Sequence, residues 1–326
     1  MSEVKEIKQT KMMCRISGVL SEKALELKSG ELKGDNGKTI PCEIIQGTIS
    51  VETDNGVFPL RVYCASKTKK DGGKENVMFK GIKTIMDSYI SKVDAAKDDS
   101  LTADKINCNV KVSINDYVAN DGSVKTSVQL SLNSARRATG DFESVTDVDM
   151  DGYIRSIKPE IKGDDEETGR LMVEFVTIGY GGKAEPYTLY VPEELADDFE
   201  DIYEPSQTVE MYCSLVMRHI GEKKTSTAKF GRKANVSSGY DVMEMIVVGA
   251  EDPYEEPDDD EIESKVIDKK TIKKLMEERS LMLEELPKQK KEKDKDKKST
   301  KTDKGLGRKN KVVEEEDETD DDYDIF

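Results

Sequence analysis

Residues 39–65, TIPCEIIQGTISVETDNGVFPLRVYCA, decide the fold. Apolar residues alternate along 39–53, with Ile45, Ile49 and Val51 among them, and Asp54-Asn55-Gly56 is a tight-turn signal. Residues 57–65 resume strand character. Upstream, 12–20 is β-rich and is expected to break at Gly18. Downstream, Ile82, Ile85, Met86, Tyr89 and Ile90 recur at helical spacing across 81–93. Residues 106–118 alternate again, and Asn120-Asp121-Gly122 turns the chain into 124–132. The order is three strands, a helix, then a two-strand hairpin.

Residues 145–250 repeat that order. Gly152 in the strand 150–157 stands where Gly18 stands in the first copy. Strands follow at 171–179 and 187–191, with Gly181-Gly182 as the turn between them. Pro192 opens an acidic helix over 193–203, and 208–220 and 241–248 supply the last two strands. Five short strands with a helix between the third and fourth is the order of the OB-fold, a small Greek-key barrel. The expected fold is mainly β: two tandem OB-like five-stranded barrels, a C-terminal helix and a disordered tail. The expected domains are 1–140 and 145–252, then an acidic linker with an amphipathic helix at 253–286 and a Lys-rich linker with an acidic tail at 287–326.

Charge sets those last boundaries. The chain has 326 residues and a net charge of −17, with 37% charged and 35% hydrophobic residues. Residues 251–263 carry nine acids and no base, 287–313 carry twelve bases and four acids, and 314–326 carry nine acids and no base. Like-charge blocks repel themselves and bury little apolar surface, so they read as interaction segments outside the packed core. Between them Ile272, Leu275, Met276, Leu283 and Leu286 line one face of a helix that Pro287 is expected to stop. That face either packs on the folded body or serves self-association or a partner helix.

The chemistry of catalysis is thinly represented. Five scattered cysteines (Cys14, Cys42, Cys64, Cys108, Cys213) and one histidine, His219, give no zinc spacing and fit reduced thiols in a cytoplasm. Gly37-Lys38-Thr39 has the end of a phosphate loop, but Leu32 replaces its first glycine and a strand follows. Asp147, Asp149 and Asp151 alternate without the rest of a calcium loop. No apolar run approaches a membrane span, and the first residues lack a signal core. The expectation is a cytoplasmic protein with no enzymatic activity, cofactor, metal or membrane partner.

Binding signals are stronger. In an OB-fold, nucleic acid lies across strands two and three and is gripped by the one–two and four–five loops. The second four–five connection, 218–233, holds Arg218, Lys223, Lys224, Lys229, Arg232 and Lys233 against one acid, with Phe230 interleaved. Cations neutralise phosphates, and rings stack on bases. In the first copy Lys67, Lys69, Lys70, Lys74 and Phe79 form a comparable stretch, and Arg136 and Arg137 leave the last strand together. Tyr180 and Lys183 join these candidates. Tyr63, Tyr117, Tyr153 and Tyr187 lie on or beside candidate strands, where a ring either stacks on a base or fills the core. The chain has no tryptophan.

The last thirteen residues are all acidic apart from Thr319, Tyr323, Ile325 and Phe326. Apolar side chains at such a tip suit a pocket with a basic rim. Asp320, Asp321, Asp322, Tyr323, Asp324, Ile325 and Phe326 resemble the tails of single-stranded DNA-binding proteins of bacteria and phages, in which an Asp run is commonly followed by Ile-Pro-Phe. Here Tyr-Asp intervenes and the proline is missing. The resemblance implies a protein that coats single-stranded DNA without sequence preference during replication and recombination, and whose tail recruits partner enzymes. It implies a host-cytoplasmic location if the chain is phage-encoded, with self-association as a further expectation. The competing reading is an acidic scaffold or chaperone-like adaptor that binds no nucleic acid.

Overall fold

The structure is a computed structural model and describes residues 8–35, 37–70, 73–162, 166–225, 235–257 and 264–302. Its first five strands are β1 (Met12–Lys33), β2 (Thr39–Thr53), β3 (Gly56–Ala65), β4 (Lys105–Val118) and β5 (Val124–Arg137). They pair in the order β2-β3-β5-β4-β1, and an additional β1–β2 pairing returns to the start. Only β3 and β5 run parallel in this set, with Arg61 opposite Ser131. Helix α1 (Val77–Ser88) and the short α2 (Lys92–Ala95) lie between β3 and β4.

The second five strands are β6 (Val145–Lys162), β7 (Glu166–Ile178), β8 (Ala184–Val191), β9 (Thr208–Thr225) and β10 (Asn235–Ala250), with α3 (Glu193–Ile202) between β8 and β9. Their order is β6-β7-β8-β10-β9 with an additional β6–β9 pairing, and β8 runs parallel to β10. The two strand sets therefore have the same connectivity, each a closed circuit of pairings.

Alternation fills each circuit. Ile45, Ile49, Val51, Phe58, Leu60, Val62 and Ile106 are buried in the first, and Val173, Phe175, Leu189, Val209, Met211 and Leu215 in the second. Phe79, Ile82 and Ile85 of α1 join the same core. Gly18 and Gly152 mark equivalent places. There β1 leaves β4 for β2, and β6 leaves β9 for β7. A Cβ on Gly18 would come within 2.7 Å of Val51 Cγ1, and one on Gly152 within 2.8 Å of Phe175 Cζ. Close approach at the crossover is what these glycines permit.

Three expectations are corrected. Strand β1 does not break at Gly18 but runs on to Lys33, and residues 22–33 pair with 39–50 of β2 as a projecting arm. Both faces of that arm meet solvent over much of its length, so no apolar alternation announces it. Helix α1 starts at Val77, ahead of residue 81, because the Asn76 side chain caps it by accepting from Met78 N at 3.0 Å. Finally, α4 spans Lys269–Thr302 with Pro287 inside it. A proline forfeits one backbone hydrogen bond, and the Lys- and Glu-rich sequence on both sides favours helix.

The two strand sets are joined along β1, whose Met12–Ser17 segment pairs antiparallel with Val145–Met150 of β6. The β2–β3 turn adds a second joint. Asn55 Nδ2 donates to Thr146 Oγ1 at 2.8 Å and Ser214 Oγ at 3.0 Å, and its carbonyl accepts from Met217 N at 2.9 Å. Helix α4 is the third joint. Ile272 and Leu275, with Ile267 just ahead of the helix, pack on Tyr153, Val176, Ile178 and Ala184 of the second set. Farther along, Arg279 Nη2 meets Asp116 Oδ1 of β4 at 2.6 Å, and Lys290 Nζ donates to Val118 O at 3.0 Å.

Candidate nucleic-acid interface

A cleft of about 540 Å³ lies between the outer face of β3, β5 and β4 and the β7–β8 turn of the second set. The strand period builds its first wall. Leu60, Val62 and Cys64 are buried, so Arg61 and Tyr63 point outward from β3; Val110 and Val112 are buried, so Lys111, Ser113 and Asn115 point outward from β4. Gln129, Ser131 and Asn133 do the same on β5.

The opposite wall carries Tyr180 and Lys183. Tyr180 is 45% exposed on the 3₁₀ turn Tyr180–Gly182, where Gly181 and Gly182 adopt φ of 70° and 72°. Gly179 N bonds Lys183 O at 2.8 Å and closes the turn. Among the described residues the charged side chains lining the cleft are Arg61, Lys111 and Lys183 against Glu185, a net of two positive charges inside a strongly acidic chain. Two rings, three cations and several side-chain amides offer stacking, phosphate neutralisation and hydrogen bonding on one surface.

Glu185 sits at the inner side of the cleft. Burial pushes its carboxyl above the usual range, opposed first by the Tyr187 hydroxyl and then by Lys111, Arg279 and Lys183. Tyr187 OH donates to Glu185 Oε2 at 2.8 Å. Gly179 makes room for the carboxylate: a Cβ there would lie 2.6 Å from Glu185 Cδ.

Of the residues singled out from sequence, Tyr180 and Lys183 reach this cleft, together with Tyr63 from the wider set of tyrosines. Phe79 does not. It is 7% exposed in the core, where no base can reach a ring face, and this corrects its assignment to the binding surface. Tyr153 and Tyr187 are core rings for the same reason, while Tyr117 is exposed. Lys67, Lys69, Lys70 and Lys74 belong to the β3–α1 connection near the β1–β2 arm, where Asp35 N bonds Lys69 O at 3.3 Å and the Lys67 backbone forms an isolated antiparallel bridge with that of Glu75. Arg136 is exposed on β5. Arg137 is held by Asp104 at 2.8 Å and Ser88 O at 2.6 Å and lies over the Tyr89 ring.

The expected loop 218–233 is shorter, because β9 continues to Thr225 and β10 begins at Asn235. Lys223 and Lys224 therefore lie on a strand, whereas Lys229, Phe230, Arg232 and Lys233 lie outside the described residues, as does the whole tail from Asp320 to Phe326. Arg61 and Lys111 were missed. Their only signal is position: each is the charged residue between two inward apolar neighbours.

Among the described residues of the second strand set, Arg170 and Arg218 are met by acids. Arg170 meets Glu244 Oε2 at 3.0 Å and Glu160 Oε2 at 3.6 Å, Arg218 meets Glu244 Oε1 at 3.1 Å, and Arg170 covers Tyr190 at 4.5 Å. Two arginines and two glutamates cancel there. Among the described residues no group of His, Cys, Asp and Glu is placed to hold a metal ion. No helix among them is long and apolar enough to cross a membrane.

Fold and cleft together define a mainly β protein whose two linked strand circuits enclose a cationic, tyrosine-bearing groove. The chain belongs to the YorF family, whose model matches residues 11–289. No curated protein matches it. Among solved structures it is similar to the wild-type single-stranded DNA-binding protein from Thermus aquaticus, at 11% identity and a TM-score of 0.37, covering 77% of this chain and 97% of that one. A deletion mutant of the same protein matches at 12% identity and a TM-score of 0.36, covering 77% of this chain and 98% of that one.

Proposed function

We propose that the protein binds and coats single-stranded DNA, largely independently of sequence, through the cleft between its two strand circuits. The single observation that carries this reading is the convergence of Arg61, Lys111 and Lys183 with Tyr63 and Tyr180 on one groove. Phosphates are neutralised by the cations while bases lie on the rings, each stacked base contributing about 1–3 kcal/mol. Both circuits are read as OB-type barrels, 1–140 and 145–252, since each orders its strands one-two-three-five-four and returns to one, with a helix after the third. The role is non-catalytic, in DNA replication and recombination in the cytoplasm. The tail residues Asp320 to Phe326 recruit partner enzymes there.

Titration with oligo-dT, followed by quenching of intrinsic tyrosine fluorescence, tests the reading. Binding is expected to quench the signal, and log K is expected to fall linearly with log salt as counterions leave the strand. An affinity that stays level as salt rises overturns it. The acidic-scaffold reading instead expects no strand binding, even after residues 314–326 are removed.

A further inference from the structure

Among the described residues Glu185 is the one anion lining the cleft, which it shares with Arg61, Lys111 and Lys183, two tyrosines, side-chain amides and hydroxyls, and apolar side chains such as Met78 and Ile114. A surface that only gathers phosphates gains nothing from a carboxylate, yet this one is built in. Tyr187 OH donates to Oε2 at 2.8 Å and so orients the group, leaving Oε1 and a second lone pair on Oε2 to accept. The carboxylate lies against Gly179, the residue immediately before Tyr180. Glu185 and Tyr180 line the same cleft. Lys111, Arg279 and Lys183 face the same group and favour its ionised form against burial.

Resting on the strand-binding reading above, we propose that Glu185 reads the edge of the base stacked on Tyr180 and selects guanine at that one position. The argument is one of donor pattern. On its Watson–Crick edge guanine presents two neighbouring donors, N1–H and N2–H₂, which match the two oxygens of a carboxylate. Adenine and cytosine each place a ring-nitrogen acceptor beside their amino group. Thymine flanks its single N–H with two carbonyls. Each of these turns a lone pair toward the carboxylate, which costs affinity. Elsewhere along the strand, contacts to phosphate and ring faces carry no such information.

The test compares short labelled dT oligonucleotides that differ only in one central nucleotide: dT, dA, dC, dG or deoxyinosine. The native protein is expected to bind the dG oligonucleotide at least about fivefold more tightly than all-dT, within the range of a good bidentate base contact. Deoxyinosine, which lacks the 2-amino group, is expected to fall between them. Glu185→Gln removes an anion from the groove, so it is expected to tighten all-dT binding while erasing the dG advantage. Gly179→Ala keeps the carboxylate but displaces it, and is expected to lose the advantage as well.

Equal affinity for dG and dT in the native protein overturns the assignment. So does a dG advantage that survives Glu185→Gln, or a variant that shifts all five oligonucleotides alike, as a purely structural role would. If none of the five binds, the strand-binding reading itself falls and takes this assignment with it.

Discussion

Tyr180 and Tyr190 are both tyrosines of the second strand set, but they stand in different surroundings. Tyr180 is 45% exposed and lines the cleft, whereas Arg170 lies over the Tyr190 ring. Tyr180→Ala is expected to weaken oligo-dT binding by about 1–3 kcal/mol, and Tyr190→Ala to leave it unchanged, as measured by anisotropy titration. Lys183→Ala is expected to reduce the slope of log K against log salt by about one. Asn55 works differently, through the joint between the circuits. Asn55→Ala strips two donors from the Thr146–Ser214 pair, so urea unfolding is expected to show a loss of about 1–3 kcal/mol.

At the scale of elements, α4 decides how the β4–β5 hairpin is held. Arg279 and Asp116 are both 9% exposed at their side chains, and Thr126 Oγ1 donates to the same Asp116 oxygen at 2.6 Å. Arg279→Ala leaves that carboxylate buried without its cation and is expected to cost about 3 kcal/mol in thermal unfolding; Arg279 and Asp116 both replaced by leucine is expected to recover much of the loss. Helix α4 also carries a pH dependence at its start. Asp268 accepts from Lys270 N at 2.8 Å and Thr271 N at 2.9 Å, and the Thr271 hydroxyl and backbone bonds hold its carboxyl below the usual range. A depressed folded pKa contributes stability above the unfolded value of about 3.9 and loses it as pH falls through the folded value. Protection factors for amide exchange in the first turn of α4, which remove the intrinsic pH dependence of exchange, are therefore expected to be flat from neutral pH down to about 4 and to fall below it. Asp268→Asn is expected to remove that acid limb.

Elements with one face in the core were legible in the sequence. Strand β2 was expected over 39–53 and is observed as Thr39–Thr53, because its alternation reports burial directly. The β1 arm was not, since a hairpin whose faces meet solvent needs no apolar period, and β9 runs five residues past the expected end at 220. Half of the cleft was legible for a related reason. Tyr180 and Lys183 flank a double-glycine turn signal, but Arg61 and Lys111 come together only because β3 and β4 flank β5. Phe79 misled because a ring among lysines looks exposed until the helix face that buries it is known.

Across the whole molecule, charge is arranged against its own net sign. The cleft is cationic, Arg170 and Arg218 of the second circuit meet glutamates, and the acids of 314–326 stand at the far end of the sequence. A polyanionic tail imitates a nucleic-acid backbone and competes for cationic surface. Deleting residues 314–326 is therefore expected to tighten oligo-dT binding several-fold at low salt, with the gain vanishing at high salt. Gel-shift titrations at two ionic strengths check this, and unchanged affinity counts against competition.

Strand β1 has a consequence for the unity of the chain. Residues 14–17 are bonded to β4 along one edge and to β6 along the other. Cutting the polypeptide between the circuits would bare a row of peptide groups on each fragment. Bare rows of this kind attract any matching strand, including copies of themselves. Neither half is a self-sufficient product, so a gene split at that point would yield sticky fragments instead of two small working proteins.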